Sequence, residues 1–167
     1  MKNYKSTIEN NKILKEIAPY CQKYETYLVG GFLRDLLMGR ESSDIDLVVP
    51  AGCAKELAGE ICDGLGAYFV PLDEKNRIYR AVMPDKVTYI DIADIEGAGI
   101  EDDLRRRDFT MNAIAFDLKK GEFIDICGGI RDIEEKIISM YAKGMTENDI
   151  AAHIEEIYGP VSYTHLR

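Results

Sequence analysis

The stretch from Tyr27 to Val49, YLVGGFLRDLLMGRESSDIDLVV, constrains the fold more than any other part of the chain. It predicts a short strand, a glycine turn at Gly30-Gly31, a helix and a second strand. That second strand carries Asp44 and Asp46, one residue apart, among the apolar residues Ile45, Leu47, Val48 and Val49. Because side chains alternate faces along a strand, both carboxylates point to the same side. Like charges repel each other, so the pair predicts that a cation offsets them.

The remaining pattern predicts alternating helices and strands. Helices are expected at residues 8–24 (bent at Pro19), 32–38, 53–63 and 130–138, with a helical turn at 102–106. Strands are expected at residues 26–29, 45–49, 67–72, 77–83, 87–92 and 122–126. Several consecutive strands are joined by short turns, which favours a small mixed or antiparallel sheet with helices packed on it. The predicted fold class is therefore α+β.

Length and charge exclude several classes of protein. With 167 residues and a net charge of −9, the chain is expected to form one domain without a strongly basic nucleic-acid surface. No apolar run approaches the roughly 18 residues of a membrane helix, and no signal peptide is evident. The four cysteines lack a CxxC spacing, which favours buried free thiols in a reducing cytosol over a metal or disulfide site. We therefore expect a cytoplasmic protein.

Two interpretations of the carboxylate pair remain open from the pattern alone. Asp44 and Asp46 could bind divalent metal ions that clamp the attacking and leaving oxygens of a phosphoryl transfer. Alternatively, the pair is simply solvated on an edge strand. The later strand segment YIDI places Asp91 in a similar setting. Asp91 could be a third metal ligand, the base that accepts a proton from an attacking hydroxyl, or an exposed strand carboxylate.

The glycine turn before the helix expected at residues 32–38 has the composition of a phosphate-binding site. Without a Cβ atom, Gly30 and Gly31 allow backbone N–H groups to approach a phosphate, and the start of a helix adds a favourable potential. Most glycine pairs mark only a plain turn, which is the alternative. Arg34 is expected on the first turn of the helix, where its guanidinium could bind a phosphate bidentately.

A second cluster, DLRRRDFTMNAIAF, covers residues 103–116. Three consecutive arginines usually form a solvated surface, but here they run into polar residues within an apolar stretch. Arg107 could neutralise a triphosphate, while Asp108 and Asn112 could hydrogen-bond a ribose.

These motifs together resemble a known family. LVGGFLRD followed by SSDIDLVV resembles the first motif of bacterial-type (class II) CCA-adding tRNA nucleotidyltransferases and the related bacterial poly(A) polymerases. DLRRRDFTMNAIAF resembles their second motif, and GEFIDICGGIRDIEEKII resembles the segment that follows it. The resemblance covers about residues 10–138. It implies the nucleotidyltransferase head fold that is shared with DNA polymerase β.

The resemblance also implies roles for the residues. Asp44 and Asp46 would bind Mg²⁺ and Asp91 would be the third catalytic carboxylate. Contacts with the incoming ATP or CTP would come from Gly30, Gly31, Arg34, Arg107, Asp108 and Asn112. The implied reaction is two-metal attack of an RNA 3′-hydroxyl on the α-phosphorus, which adds CCA to the 3′ end of tRNA. A bacterial poly(A) polymerase and a non-catalytic nucleotide-binding remnant are the alternatives.

The end of the chain departs from the family pattern. We expect residues 1–138 to be the head domain, because the neck motif of the family does not follow Ile138. Residues 139–159 resemble a DNA-binding stretch of Mutator-type transposases, or else form a generic amphipathic helix. Residues 160–167 resemble a translated sequencing adapter, so residues 139–167 are predicted to be a foreign extension. Without neck, body and tail, we expect weak, unselective nucleotide binding, and an RNA grip that lies mostly in the missing domains.

Overall fold

A computed structural model describes residues 4–40 and 42–146, together with residues 149 and 152. Its helices are α1 (Tyr4–Asn10), α2 (Lys12–Cys21), α3 (Gly30–Leu37), α4 (Ala54–Leu65), α5 (Ile100–Arg105) and α6 (Gly129–Ala142), with a 3₁₀ turn at Thr110–Asn112. Its strands are β1 (Tyr27–Val29), β2 (Asp44–Val49), β3 (Tyr68–Asp73), β4 (Ile78–Val82), β5 (Tyr89–Asp94), β6 (Ala115–Asp117) and β7 (Glu122–Ile124).

The seven strands form one mixed sheet in the order β3-β4-β5-β2-β1-β6-β7. Among the strands of the described residues, only β2 and β5 pair in parallel, and every other neighbouring pair is antiparallel. The predicted α+β class with a mixed sheet is confirmed. The strand that carries the two aspartates is fourth of seven, so it lies in the interior of the sheet.

One face of the sheet packs against α4. Leu57 and Ile61 of α4 are fully buried in the same core as Ile90 and Ile92 of β5. The helix starts where Asp94, at the end of β5, accepts hydrogen bonds from the N–H groups of Gly52 (2.7 Å) and Ala54 (2.9 Å). Such bonds satisfy backbone donors that a helix start leaves unpaired.

The opposite face of the sheet holds a smaller core. Leu104 of α5 is fully buried there against Val29, Val48, Ala93 and Ala115, which come from four neighbouring strands. Val48 and Ala93 lie two positions after Asp46 and Asp91 on the same strands, while Val29 stands opposite Asp46 and Ala115 opposite Val29. All four residues therefore share a face of the sheet with Asp46 and Asp91. The α5 helix therefore covers part of the face that carries the aspartates.

Several predicted boundaries are wrong. The helix expected at residues 8–24 is two helices, because the side chain of Asn11 accepts a hydrogen bond from the N–H of Leu14 and caps a new helix. The helix expected to start at Phe32 begins at Gly30. Strand β6 was not predicted within the apolar-rich stretch 109–118, because the four consecutive apolar residues 113–116 show no alternation.

The last helix does not end at the expected domain boundary. Helix α6 continues to Ala142, and Met140 is buried beside Met38 and Met145. Most of the predicted foreign extension, residues 139–167, lies outside the described residues. None of the described helices has the length and apolar character that crossing a membrane requires.

Candidate active site

The carboxylate pair lies on β2, between β5 and β1. Asp46 stands opposite Asp91 in the parallel register, and Asp44 stands opposite Tyr89. Asp46 and Asp91 are each only 4% exposed, whereas Asp44 is at the surface. The alternatives of a solvated edge-strand pair and of an exposed Asp91 are therefore wrong. The fold brings three carboxylates together on one face of the sheet, and two of them are buried.

The glycine turn contacts Asp46 directly. The backbone N–H of Gly31, at the start of α3, donates a hydrogen bond to the Asp46 carboxylate. Gly30 has a φ of +72°, and a Cβ atom at this position would lie 2.7 Å from Asp46 Oδ2. Only glycine combines this backbone conformation with such a close approach. The turn thus places a helix N-terminus and a carboxylate at the same point.

Asp46 is electrostatically strained. Burial is the largest cause that raises its pKa well above the usual range, and the charges of Asp91 and Asp44 add to it. The Arg107 guanidinium and the Gly31 N–H act in the opposite direction but do not compensate. A further cation at this site would therefore stabilise the ionised carboxylates.

The arginine run separates into surface and interior residues. Arg105 and Arg106 are exposed and pair with Glu101 and Glu96. The side chain of Arg107 is only 8% exposed and donates to Asp103 Oδ2 at 2.8 Å. Because its charge also acts on Asp46, Arg107 is the arginine of the run that belongs to the site.

Arg34 and Asn112 form a second buried group. An Arg34 N–H donates to Asn112 Oδ1 at 3.3 Å, and two further N–H groups donate to Asp35 Oδ1 at 3.0 and 2.9 Å. Arg34 was predicted to lie in the first turn of its helix. Because α3 begins at Gly30, Arg34 lies in the second turn instead. Asp108 is at the surface. The two predicted motifs are thus joined by the contact between Arg34 and Asn112.

Sequence reasoning missed Arg80. This residue of β4 stands opposite Asp91 and binds it bidentately, with N–O distances of 2.6 and 2.8 Å. Its guanidinium also lies over the ring of Tyr89, 5.0 Å from the ring centre. The signal was an arginine within the strand segment IYRAV, on the face opposite to the buried Tyr79 and Ala81. Arg80 fixes the orientation of the third carboxylate.

The donor set suits a hard divalent cation. Carboxylate oxygens are ligands that Mg²⁺ prefers, and it commonly takes only one or two from a protein, completing its shell with water and phosphate oxygens. Within the described residues, no three or more His, Cys, Asp or Glu side chains are gathered closely enough to hold a metal ion. Asp46 and its neighbour Asp44, on one face of β2, are two carboxylates of the kind that Mg²⁺ prefers.

A mixed sheet with strand carboxylates beside a glycine turn that opens a helix defines the class of nucleotidyltransferase head domains. The family model described as the Poly A polymerase head domain matches residues 26–96 and 71–139. The chain belongs to this family.

Relatives of known function share this part of their sequence with the chain. A CC-adding tRNA nucleotidyltransferase from Synechocystis sp. is 43% identical over 117 residues, which cover 69% of this chain and 27% of the relative. An A-adding tRNA nucleotidyltransferase from Aquifex aeolicus is 35% identical, covering 67% of this chain and 15% of the relative.

Solved structures show the same fold. The Thermotoga maritima CCA-adding enzyme complexed with tRNA matches 80% of this chain and 33% of its own, at 35% identity and a TM-score of 0.69. A CCA-adding enzyme complexed with CTP matches at 34% identity, also with a TM-score of 0.69, over 80% of this chain and 34% of its own. The chain therefore spans about a third or less of the length of these relatives.

Proposed function

We propose that this chain is the catalytic head of a template-independent RNA nucleotidyltransferase that acts on the 3′ end of tRNA. The observation that carries the proposal is the strained, buried Asp46 between Asp44 and Asp91, at the start of α3. Support comes from relatives named as CC-adding, A-adding and CCA-adding enzymes, and from related structures with CTP, ATP and tRNA.

The chemistry proposed for the site is transfer of a nucleoside monophosphate from CTP or ATP. Asp44 and Asp46 would hold Mg²⁺, which neutralises phosphate charge and polarises the α-phosphorus when it is bound. The Gly31 N–H and the Arg107 guanidinium place positive potential beside the same carboxylates. These groups orient the triphosphate and stabilise the pyrophosphate that leaves.

Asp91 is proposed to act on the side of the attacking hydroxyl. Both of its oxygens already accept hydrogen bonds from Arg80, which restrict the carboxylate to one orientation. A fixed carboxylate can hold the acceptor hydroxyl in line with the α-phosphorus and accept its proton.

The second buried group would support the sugar and phosphates. Arg34 is oriented by Asp35 and Asn112, which limits its side chain to a narrow range of positions. We assign Arg34 to the phosphates, and Asn112 and the exposed Asp108 to the ribose. Gly30 contributes by allowing the backbone to approach Asp46.

The choice of nucleotide is proposed to lie outside the residues described above. CC-adding and A-adding relatives share this same region with the chain, although their names specify different products. A head common to both kinds of enzyme does not by itself select CTP or ATP. Polyadenylation is the second candidate function, since the family model is described as a Poly A polymerase head domain.

Magnesium-dependent nucleotide binding tests the proposal. Titration of the purified chain with CTP and ATP in Mg²⁺ or in EDTA should show binding only with Mg²⁺, and Asp46→Ala should weaken it more than tenfold. Asp63→Asn, a surface carboxylate at the end of α4, serves as the matched control and should bind as the wild type does. Binding that is equal in EDTA, or unchanged in Asp46→Ala, would contradict an Asp46-centred site.

A further inference from the structure

The sheet face that carries the aspartates is covered at one end and open at the other. We infer that its open end, which we call the acceptor face and define by Tyr68, Arg80, Val82 and Tyr89, binds the last nucleotides of the acceptor RNA strand by stacking. The inference rests on the proposed function and identifies where the second substrate of that site lies.

The register connects the acceptor face to the carboxylates. Asp44 stands opposite Tyr89, Tyr89 opposite Val82, and Val82 opposite Tyr68. Residues that stand opposite each other in neighbouring strands share a face of the sheet, so these four side chains form one row. With strands about 4.8 Å apart, the row extends about 14 Å from the surface aspartate to Tyr68. That length accommodates the end of a nucleic acid strand.

The row is accessible and partly aromatic. Tyr68 is 60% exposed on the edge strand β3, and Val82 and Tyr89 are half-buried. Helix α4 packs on the opposite face, where Tyr79 and Ala81 are buried. Exposed apolar side chains that continue from a candidate active site indicate a binding surface more strongly than isolated ones do.

The geometry of phosphoryl transfer decides which ligand belongs there. The start of α3 follows directly from β1 and approaches Asp46 from the β1 side of β2, which is the side proposed for the triphosphate. In-line displacement places the attacking oxygen opposite the leaving pyrophosphate. The acceptor strand must therefore approach from the β5 side, where β4 and β3 follow.

The side chains match a single-stranded nucleic acid end. Arg80 is held over the Tyr89 ring by its ion pair with Asp91, so a guanidinium plane lies beside an aromatic ring on this face. Bases stack on aromatic rings and on guanidinium planes with little dependence on sequence. The chain has a net charge of −9, so its overall electrostatic attraction for RNA phosphates is weak. This favours base stacking as the source of its affinity for RNA.

Fluorescence of a stacked base gives a direct test. The probe is a short single-stranded RNA with a free 3′-hydroxyl and 2-aminopurine at the penultimate position, titrated with the chain in Mg²⁺. We expect quenching on binding, and about tenfold weaker affinity for Tyr68→Ala, the size of one base–aromatic stack. Tyr68→Trp should retain the affinity because it keeps the stacking surface.

The matched control is Phe69→Ala. Phe69 neighbours Tyr68 on β3 but stacks on Tyr79 on the opposite face, with ring centres 5.6 Å apart. This variant should lose stability and keep its RNA affinity. Equal RNA affinity of Tyr68→Ala and the wild type, or the absence of quenching in the wild type, would overturn the inference.

Two further outcomes separate this inference from other possibilities. If Tyr68→Ala changes the sedimentation mass of the chain and leaves RNA affinity unaltered, the β3 edge is a protein interface and the inference is wrong. If Mg²⁺-dependent nucleotide binding persists while the RNA effect is absent, only the acceptor face is refuted. Loss of both effects would refute the proposed function as well.

Discussion

The buried charge of Asp46 lowers the stability of the fold, yet the same charge is what would attract a cation. Its carboxylate is buried, and its neighbours Asp44 and Asp91 carry the same charge. A fold that needed only stability would place a neutral side chain here, because an incompletely compensated buried charge is costly. A bound cation would relieve this strain.

We expect Asp46→Asn to stabilise the chain in EDTA. The amide keeps the size of the side chain and removes its charge, so the free energy of unfolding should rise by about 1–3 kcal/mol. Thermal unfolding in EDTA and in Mg²⁺ with CTP measures this effect. The variant should gain little from Mg²⁺ and CTP, whereas the wild type should gain several degrees. A lower unfolding temperature for Asp46→Asn in EDTA would contradict electrostatic strain at this position.

The residues of the site were only partly predictable. The two aspartates on one face followed from the period of a strand, and the structure confirms that they share a face. Arg80 was not found, because its role depends on pairing with a residue 11 positions later in the chain. Strand register brings these two together, and register is a tertiary property.

At the scale of elements, the turn from β1 into α3 determines where Asp46 sits. The helix starts at Gly30, immediately after the strand, and the Gly31 amide of α3 donates to the carboxylate. The helix N-terminus thereby stabilises negative charge at the point where phosphates are proposed to bind.

Gly30→Ala should destabilise the fold. The added methyl group would meet Asp46 Oδ2 at 2.7 Å and would force alanine into a left-handed conformation. The expected loss is about 1–3 kcal/mol, measured by urea unfolding. Gly59→Ala is the matched control, because Gly59 lies within α4 and a Cβ atom there meets nothing within 4 Å.

The control should behave in the opposite way. Alanine in a helix interior is favoured over glycine by about 0.5–1 kcal/mol, so Gly59→Ala should raise the free energy of unfolding. If both variants shifted stability in the same direction, the special conformation of Gly30 would not be the cause.

Element boundaries show the limit of pattern analysis. Hydrophobic spacing predicted one helix at residues 8–24, yet the capping side chain of Asn11 divides it in two. A local hydrogen bond outweighed a continuous apolar period, since it satisfies backbone donors at the start of a new helix.

At the scale of the whole molecule, one core extends from α2 through α4 to the sheet. Cys21 of α2 and Cys62 of α4 are buried in it, whereas Cys53 and Cys127 are half-buried. Burial raises the pKa of the Cys21 thiol to about 12. The thiolate is the reactive form, so the core protects this cysteine both sterically and electrostatically.

We expect Cys21 and Cys62 to be alkylated only through unfolding. Because folding raises the pKa of Cys21 from 9.0 to about 12, its contribution to stability is complete below pH 9 and is lost as the pH rises toward 12. Pulsed alkylation between pH 7 and 9, followed by mass spectrometry, should label Cys53 and Cys127 first. In urea, all four cysteines should react. Rapid labelling of Cys21 in the folded chain would contradict a single cooperative core.

The sequence by itself determined the local features: a strand with two carboxylates on one face, a glycine turn before a helix, and an α+β class. These follow from periodicity, glycine conformation and short turns, which involve residues close together in the chain. Only the tertiary structure decided that β2 is interior, that it pairs in parallel with β5, and that Arg80 holds Asp91. Strand order and register arise from burying distant segments in a common core, and no local pattern encodes that pairing.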